Sequence, residues 1–425
     1  MKPGYKQTEV GVIPEEWEVE PLSELFSFRN GVNADKASYG QGVRFINVLE
    51  PITYSHIHGP EITGQVSLPE SVVASYAVRR GDVLFNRTSE TQEEVALAAT
   101  YLGNERVVFG EFVIRGRPLN ERLDPVYSGY ALRSPTIRSQ IIPMGQGAVR
   151  ANIGQHNLGL VTAPLPPLPE QRAIATALSD VDALLAALDR LIAKKRDLKQ
   201  AAMQQLLTGH TRLPGFPPGN AEPQLGANEK KHAKLGLGAP GTLPAGWVVR
   251  RLGDVLTICH GRSQHDVETE NGAYPILATG GQIGTAKRFL YDKPSVLIGR
   301  KGMIGKPQYM DTPFWTVDTL FYSAIRDDNN AKFLFYRFCL IDWKQHNEAS
   351  GVPSLNARTI ENIVVSCPAA AEQTAIATVL SDMDAELAAL EQRLEKTRAL
   401  KQGMMQELLT GRTRLVASPQ QGGRA

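Results

Sequence analysis

Residues 170–213 (EQRAIATALSDVDALLAALDRLIAKKRDLKQAAMQQLLTGHTRL) return as residues 372–415 (EQTAIATVLSDMDAELAALEQRLEKTRALKQGMMQELLTGRTRL) at a constant offset of 202, without a gap. A segment that closes the first half of a chain and again closes the second predicts two equivalent units, not one continuous core. Shorter echoes lie upstream of each copy. Gly11, Pro14, Trp17, Val19 and Leu22 match Gly241, Pro244, Trp247, Val249 and Leu252 at an offset of 230, and Gly147 and Asn152 match Gly351 and Asn356 at 204. Each half therefore reads as a variable block of its own length followed by a segment of fixed length.

The fixed segment has a helical period. Ile376, Leu380, Met383, Leu387, Leu390, Leu394, Thr397, Lys401, Met404 and Leu408 step alternately by four and three. That spacing keeps one stripe turned toward a partner helix. The first copy repeats the register with Ile174, Leu178, Val181, Leu185, Leu188 and Ile192, weakens at Lys195 and Lys199, and is widened sideways by Leu184, Leu191 and Leu198. Pro169 and Pro368 precede the helices, where a missing N–H costs nothing, and Gly209 and Gly411 follow the last turns as left-handed caps. From Glu170 to Thr208 such a helix runs ~58 Å. Parallel packing of the two copies would force the chain back along a full helix length. The 32 residues of the Gly/Pro-rich stretch 214–245 span only ~30 Å as a flexible coil, so the spacing predicts antiparallel packing with an approximate two-fold axis.

Within the blocks, VRFINV (43–48), GDVLFN (81–86), SVLIG (295–299) and WTVDTLFYSAI (315–325) read as strands between Gly and Pro breaks. SPTIRSQII (134–142) and AKFLFYRFCLI (331–341) read as short closing helices. The expected fold is α+β, with two irregular blocks, a pair of long helices packed as an antiparallel coiled coil, and a pseudo-two-fold internal repeat. The corresponding division is 1–163 first block, 164–213 helix, 214–245 linker, 246–366 second block, 367–415 helix and 416–425 tail.

Catalytic signatures are missing. GRKGMIGKP (299–307) has the wrong glycine spacing for a phosphate loop and Pro where Ser or Thr would hold magnesium, and no Asn-Pro-Pro-aromatic or Asp-Pro-Pro-aromatic, GxSxG or HExxH motif occurs. His56 with His58, and His260 with His265, lack the accompanying cysteines or carboxylates of a metal site. Glu229 with Lys231 falls in the linker, and Asp197 with Lys199 on a solvated helix face, so neither serves as a nuclease motif. Catalytic and metal-ligating residues are accordingly expected to be none.

The cysteines Cys259, Cys339 and Cys367 form neither a disulfide framework nor a CxxC pair, and no stretch approaches ~20 apolar residues. A cytoplasmic protein with no membrane partner is expected.

The net charge of +2 suggests no nucleic-acid partner, but local counts do. Residues 287–306 hold Lys287, Arg288, Lys293, Arg300, Lys301 and Lys306 against Asp292 alone. Such a cluster neutralises phosphates. Between Lys36 and Lys194 there is no lysine, yet thirteen arginines occur, among them Arg44, Arg79, Arg80, Arg87, Arg115, Arg117 and Arg150. A planar guanidinium can fork onto a guanine edge, which a lysine does less selectively; codon bias and surface ion pairs are the alternative source of these arginines. The expected DNA-binding residues are Arg44, Arg79, Arg80, Arg87, Arg115, Arg150, Lys287, Arg288, Arg300, Lys301 and Lys306.

PLPPLPEQRAIATAL (164–178) with LLTGHTRL (206–213), and CPAAAEQTAIATVL (367–380) with LLTGRTRL (408–415), resemble the doubled helix motif of the specificity subunit of type I restriction-modification systems. VIPEEWEVEPLSEL (12–25) and TLPAGWVVRRLGDV (242–255) resemble the entry to each target recognition domain of that family, and GDVLFNR (81–87) and SVLIGRKGMIG (295–305) its strand and loop before DNA. CPAAAEQ departs from the Pro-rich run of the first copy, so a different start is expected for the second helix.

The resemblance implies a non-catalytic subunit that binds double-stranded DNA, two methyltransferase subunits and, through them, restriction subunits. Each recognition domain would read one half of a split, asymmetric target, and the helices would fix the unread spacer. It implies no cofactor in this chain; S-adenosylmethionine, ATP and Mg2+ belong to the partners. Two other classes stay open on the residues alone: a coiled-coil adaptor that does not read DNA, and a self-sufficient DNA methyltransferase or nuclease.

Overall fold

The computed structural model describes residues 3–147, 150–216, 220–221, 243–326 and 328–416. Two long helices, Leu168–Thr208 and Ala370–Leu408, each run about 60 Å. Pro169 is the second residue of its helix rather than the residue before it. The two helices start at equivalent positions 202 apart, so the change from the Pro-rich run to CPAAAEQ does not shift the second start. Gly209 and Gly411, at φ of 76° and 71°, turn the chain out of each last turn in the left-handed region that a side chain would strain.

The chain divides into two units, Met1–Leu188 with Arg393–Ala425, and Asp189–Gln392. This differs from the linear division into blocks and whole helices, because each long helix gives its two halves to different units. In the first unit the opening half of the first helix meets the closing half of the second. Lys401 pairs with Asp182 at 2.6 Å and Arg414 with Glu170 at 2.5 Å. Leu408 and Leu409 join Ile174 and Leu178 in a core that holds Trp17, Tyr127 and Tyr130.

The second unit repeats the arrangement with the copies exchanged. Lys195 meets Glu386 at 2.6 Å, Arg196 meets Glu391 at 2.5 Å and Lys199 meets Asp384, while Leu206 and Leu207 pack with Ile376 and Leu380. Late residues of one helix meet early residues of the other in both units, so the pairing is antiparallel, as the linker length requires.

Ile174, Leu178, Leu188, Ile192, Ile376, Leu380, Leu387 and Leu394 are buried along this seam, and Val181, Leu185, Met383 and Leu390 are half-buried. The sideways widening does not hold. Leu184, Leu191 and Leu198 remain 39%, 39% and 47% exposed, because the single facing helix covers only the narrow stripe.

Each block enters and leaves at the same edge. Glu18–Pro21 pairs antiparallel with Thr162–Leu165, and Val248–Arg251 with Val364–Cys367. The first block carries a five-stranded sheet in the order Phe26–Asn30, Val113–Pro118, Val83–Asn86, Ala98–Tyr101, His56–Ile57, and a three-stranded sheet Val107–Phe109, Tyr39–Ile46, Gln65–Val66. The second block has Leu256–Cys259, Leu320–Ile325, Ser295–Gly299, Gln308–Met310 in one sheet and Trp315–Thr316, Tyr274–Ala278, Gly281–Ala286 in the other. The order of four strands in the larger sheet and three in the smaller is common to both blocks, although their sequences share only short echoes; the fifth strand of the first block, His56–Ile57, has no counterpart in the second. Apolar strands such as VLF and VLI, buried on both faces, form the centre of each larger sheet.

The echo at offset 204 needs correction. Asn152 pairs with Thr88 in a short antiparallel bridge, and the corresponding bridge in the second block joins Ser354 to Lys301. Asn356 instead caps the helix Ala357–Glu361, the place that Gly154 takes before Gln155–Leu160. The structural offset here is 202, that of the helices, so the repeat extends upstream of Glu170. Most of the linker 214–245 and of the tail 416–425 lies outside the described residues. Among the described residues no helix is long and apolar enough to cross a membrane.

Candidate nucleic-acid interface

The motif residues of the repeat form one latch per unit. Glu170 is buried under the indole of Trp17, whose Nε1 donates to Oε2 at 2.9 Å, and under Arg414, whose Nε and Nη2 donate at 2.5 and 2.8 Å. Glu372 accepts from Trp247 Nε1 at 3.2 Å and from Arg212 Nε and Nη2 at 2.6 and 2.7 Å. A buried carboxylate is tolerable only with charge-assisted donors of this kind.

Gln171 and Gln373 clamp the helices Pro125–Ala131 and Ala331–Leu340 of the blocks by accepting from the backbone of their N-cap residues, Asp124 N at 2.8 Å and Asn330 N at 2.9 Å. Tyr130 donates to Asp182 at 2.7 Å and Tyr336 to Asp384 at 2.6 Å. Burial pushes both phenols well above their ordinary range. The echoed Trp, Glu-Gln, Ser-x-x-Asp and Arg212/Arg414 residues are therefore structural. They hold each block against its helix pair.

The candidate DNA contacts separate into two groups. Arg115 is buried, donates to Ala77 O at 3.0 Å and lies 3.9 Å from Asp82; desolvation pushes its guanidinium down. It cannot reach a phosphate, so its assignment to DNA is corrected. Arg44 is likewise committed to the fold, paired with Glu105 at 2.7 Å and donating to Gly59 O and Ile62 O at 3.0 and 2.8 Å. Arg80 is exposed but donates to Leu102 O. Residue type alone cannot distinguish an arginine that ties loops from one that faces solvent.

The rest lie at the surface. Arg79 is exposed and its side chain makes no hydrogen bond or ion pair to the described residues, and Arg150 is exposed 3.6 Å from Glu90. Lys287, Lys301 and Lys306 are exposed without side-chain partners among the described residues, and Arg288 lies over the Trp315 ring at 5.9 Å. Arg87 and Arg300 are half-exposed at the ends of Val83–Asn86 and Ser295–Gly299.

In the second block three loops meet beside Arg300. Gly302 N donates to Pro353 O at 2.8 Å and Leu355 N to Arg300 O at 2.9 Å, joining 300–306 to 351–355. Gln308 donates to Ala278 O at 3.0 Å, and a Cβ on Gly280 would lie 3.5 Å from the Met303 methyl, which places the 279–283 turn alongside. Gly302, at φ 83°, makes the sharp bend that a side chain would strain. Ile283, Met303 and Val352 stand 52%, 44% and 67% exposed on these loops among the unpaired Lys301 and Lys306. Sequence reading missed these apolar residues. Their only signal was Gly-rich spacing, which a plain tight turn produces equally well.

The histidines considered for a metal have ordinary places. His56 lies 2.8 Å from Val126 O and packs on Tyr130, and His260 packs on Phe321. What the surface offers is cations and loop-borne apolar groups suited to a polyanion with readable edges.

The family model for the type I restriction modification DNA specificity domain matches this chain twice, over residues 14–195 and 244–398. A putative type I restriction enzyme MjaX specificity subunit of Methanocaldococcus jannaschii is 26% identical over 437 residues, covering 97% of both chains. The EcoKI specificity subunit of Escherichia coli K12 is 28% identical over 198 residues, 45% of this chain and 40% of that one. Among solved structures, the S subunit of a type I restriction-modification system from M. genitalium aligns with a TM-score of 0.58 at 18% identity, over 96% of this chain and 99% of that one. A second, from work on complex assembly and conformational transition of the type I system, aligns at 0.57 and 18%, over 94% and 99%. At such identities the structures speak for the fold, while the doubled family match spans most of the chain. With two blocks of one strand order and a repeated helix latched to each, the chain belongs to the specificity-subunit family of type I restriction-modification systems.

Proposed function

We propose that this chain is the DNA sequence-specificity subunit of a type I restriction-modification complex, without catalytic activity of its own, and that it binds a split, asymmetric target with one half-site per block. The observation that carries this is the doubling. Two blocks with one strand order but unrelated loops are suited to one kind of ligand with two different sequences. A helix of about 60 Å exceeds one DNA turn of ~34–36 Å, enough for the paired helices to set the unread spacer.

The exposed cations beside Arg87 and Arg300 would neutralise phosphates, and the adjoining loops would read base edges. Methyl transfer to adenine falls to two methyltransferase subunits using S-adenosylmethionine, with the base turned out of the duplex into their pocket. ATP- and Mg2+-dependent cleavage falls to restriction subunits. Such a complex works in the cytoplasm, where the DNA is.

The purified chain alone should transfer no methyl group to DNA and should gain adenine methylation when combined with its methyltransferase subunit. Mapping methylated adenines across the source genome should return one split sequence with two different halves. Methyl transfer or cleavage by the chain alone would support the self-sufficient enzyme instead. Absence of salt-dependent DNA affinity, even with the methyltransferase subunit present, would support the adaptor.

A further inference from the structure

The two blocks place one arginine in the same setting. Asn86 pairs with Val113 across the central strands of the first block, and Gly299 with Leu320 in the second. One residue further on, Arg87 N donates to Phe112 O at 2.8 Å and Arg300 N to Thr319 O at 2.8 Å. Their own carbonyls accept from Ile153 N at 3.1 Å and Leu355 N at 2.9 Å. The side chains match as well. Arg87 Nη1 donates to Glu111 O at 3.3 Å and Arg300 Nη1 to Asp318 O at 3.4 Å, in each block the second residue before the next strand. In both, Nε and Nη2 make no hydrogen bond to the described residues. One nitrogen tethers each guanidinium to a backbone carbonyl, and the side-on edge, whose two parallel N–H groups fit two oxygens of a phosphate, stays unengaged. Arg300 also meets the exposed Asp318 carboxylate at 2.5 Å through the same Nη1, which leaves that edge open.

What surrounds the arginines differs. The loop 87–97 carries polar and acidic residues, whereas 300–306 is short, Gly-rich and bears Lys301, Met303 and Lys306. Two blocks that read different half-sites cannot draw the difference from a group they share. They can draw from it a sequence-independent contact that sets register on the duplex. We infer that Arg87 and Arg300 are equivalent DNA-phosphate contacts, one per half-site, that position each block while the unlike loops beside them read the bases. This rests on the specificity-subunit reading and adds to it which residues are shared machinery.

The test uses the full chain in complex with its methyltransferase subunit. The probes are duplexes carrying the site found by methylated-adenine mapping, single-base variants of each half-site, and a scrambled duplex. Arg87→Gln or Arg300→Gln keeps a donor for the backbone carbonyl and removes the charge. Each should weaken binding to all duplexes alike, on the order of tenfold, and lower the slope of log affinity against log salt by about 0.9, with base preference unchanged. Arg300→Lys should restore the slope. Thermal melting of each variant confirms that it is folded, and Arg300→Ala gives a second measure should the Gln variant melt early.

Relaxed preference at one base with an unchanged slope would make the arginine a base reader and overturn the proposal. Unchanged affinity and slope would reduce it to a loop brace, also overturning it, while the wild-type complex still told site from scrambled DNA. If the wild-type complex itself cannot distinguish them, the specificity reading falls and the proposal with it.

Discussion

Glu170 and Glu372 each satisfy an indole N–H and a guanidinium where water has little access. Removing one partner of such a buried pair leaves an uncompensated charge, so Glu170→Ala should cost about 3–5 kcal/mol in denaturant unfolding. Glu70→Ala, which breaks the exposed pair with Arg106, should cost less than about 1 kcal/mol. Equal losses would mean that the latch contributes no more than a surface pair. His56 gives a pH prediction. Desolvation lowers its pKa below the ordinary 6.5, outweighing the bond to Val126. A base harder to protonate folded than unfolded binds fewer protons in the native state. Its contribution is therefore complete above about 6.5 and lost as pH falls from there toward the lower folded value. His56→Gln should flatten this part of the stability profile; an unaltered profile would assign the acid sensitivity to other groups.

At the scale of an element, the long helices are amphipathic along one narrow seam. Leu380 is fully buried and Leu191 is 39% exposed, so Leu380→Ala should cost about 2–5 kcal/mol and Leu191→Ala no more than about 0.5 kcal/mol, read from denaturation midpoints. Similar costs would show that the flanking leucines are covered as well. The polar interruptions at Lys199 and Lys401, where the heptad weakens, are matched by Asp384 and Asp182, the carboxylates that also accept from Tyr336 and Tyr130. Each ion pair joins one long helix to the other, and the tyrosine bond to the same carboxylate ties that seam to its block. Tyr130→Phe and Tyr336→Phe should each cost on the order of 1 kcal/mol.

For the whole molecule, the testable property is modularity. Deleting one heptad from both helices together shortens each by roughly 10 Å and should change the tolerated spacer or abolish recognition in the methylation assay. Unchanged recognition of the original site would remove the ruler role. Exchanging 246–366 for the corresponding block of a relative should alter one half-site only, because each block closes on itself through its entry and exit strands and joins the rest through its latch. A change in both halves would contradict that independence.

The sequence by itself determined the doubling, the helix period, the caps at Gly209 and Gly411 and the antiparallel pairing, because each follows from local spacing and chain length. It also placed the central strands Val83–Asn86 and Ser295–Gly299, whose apolar runs between Gly and Pro have few alternatives. The run 315–325, read as one strand, divides into Trp315–Thr316 and Leu320–Ile325 in different sheets, and the less apolar partner strands were not legible. The tertiary structure alone decided which arginines face solvent. Arg44 and Arg115 look like Arg79 and Arg150 in a sequence, and only the positions of Glu105, Asp82 and distant carbonyls separate them. It alone revealed that the shared Trp, Glu and Arg residues form latches that join one copy of the repeat to the other. It also put Arg87 and Arg300 in one setting: a shared Val-Leu-x-x-Arg spacing marks the strand before each, but only hydrogen bonds between strands far apart in the chain fix where the two side chains point.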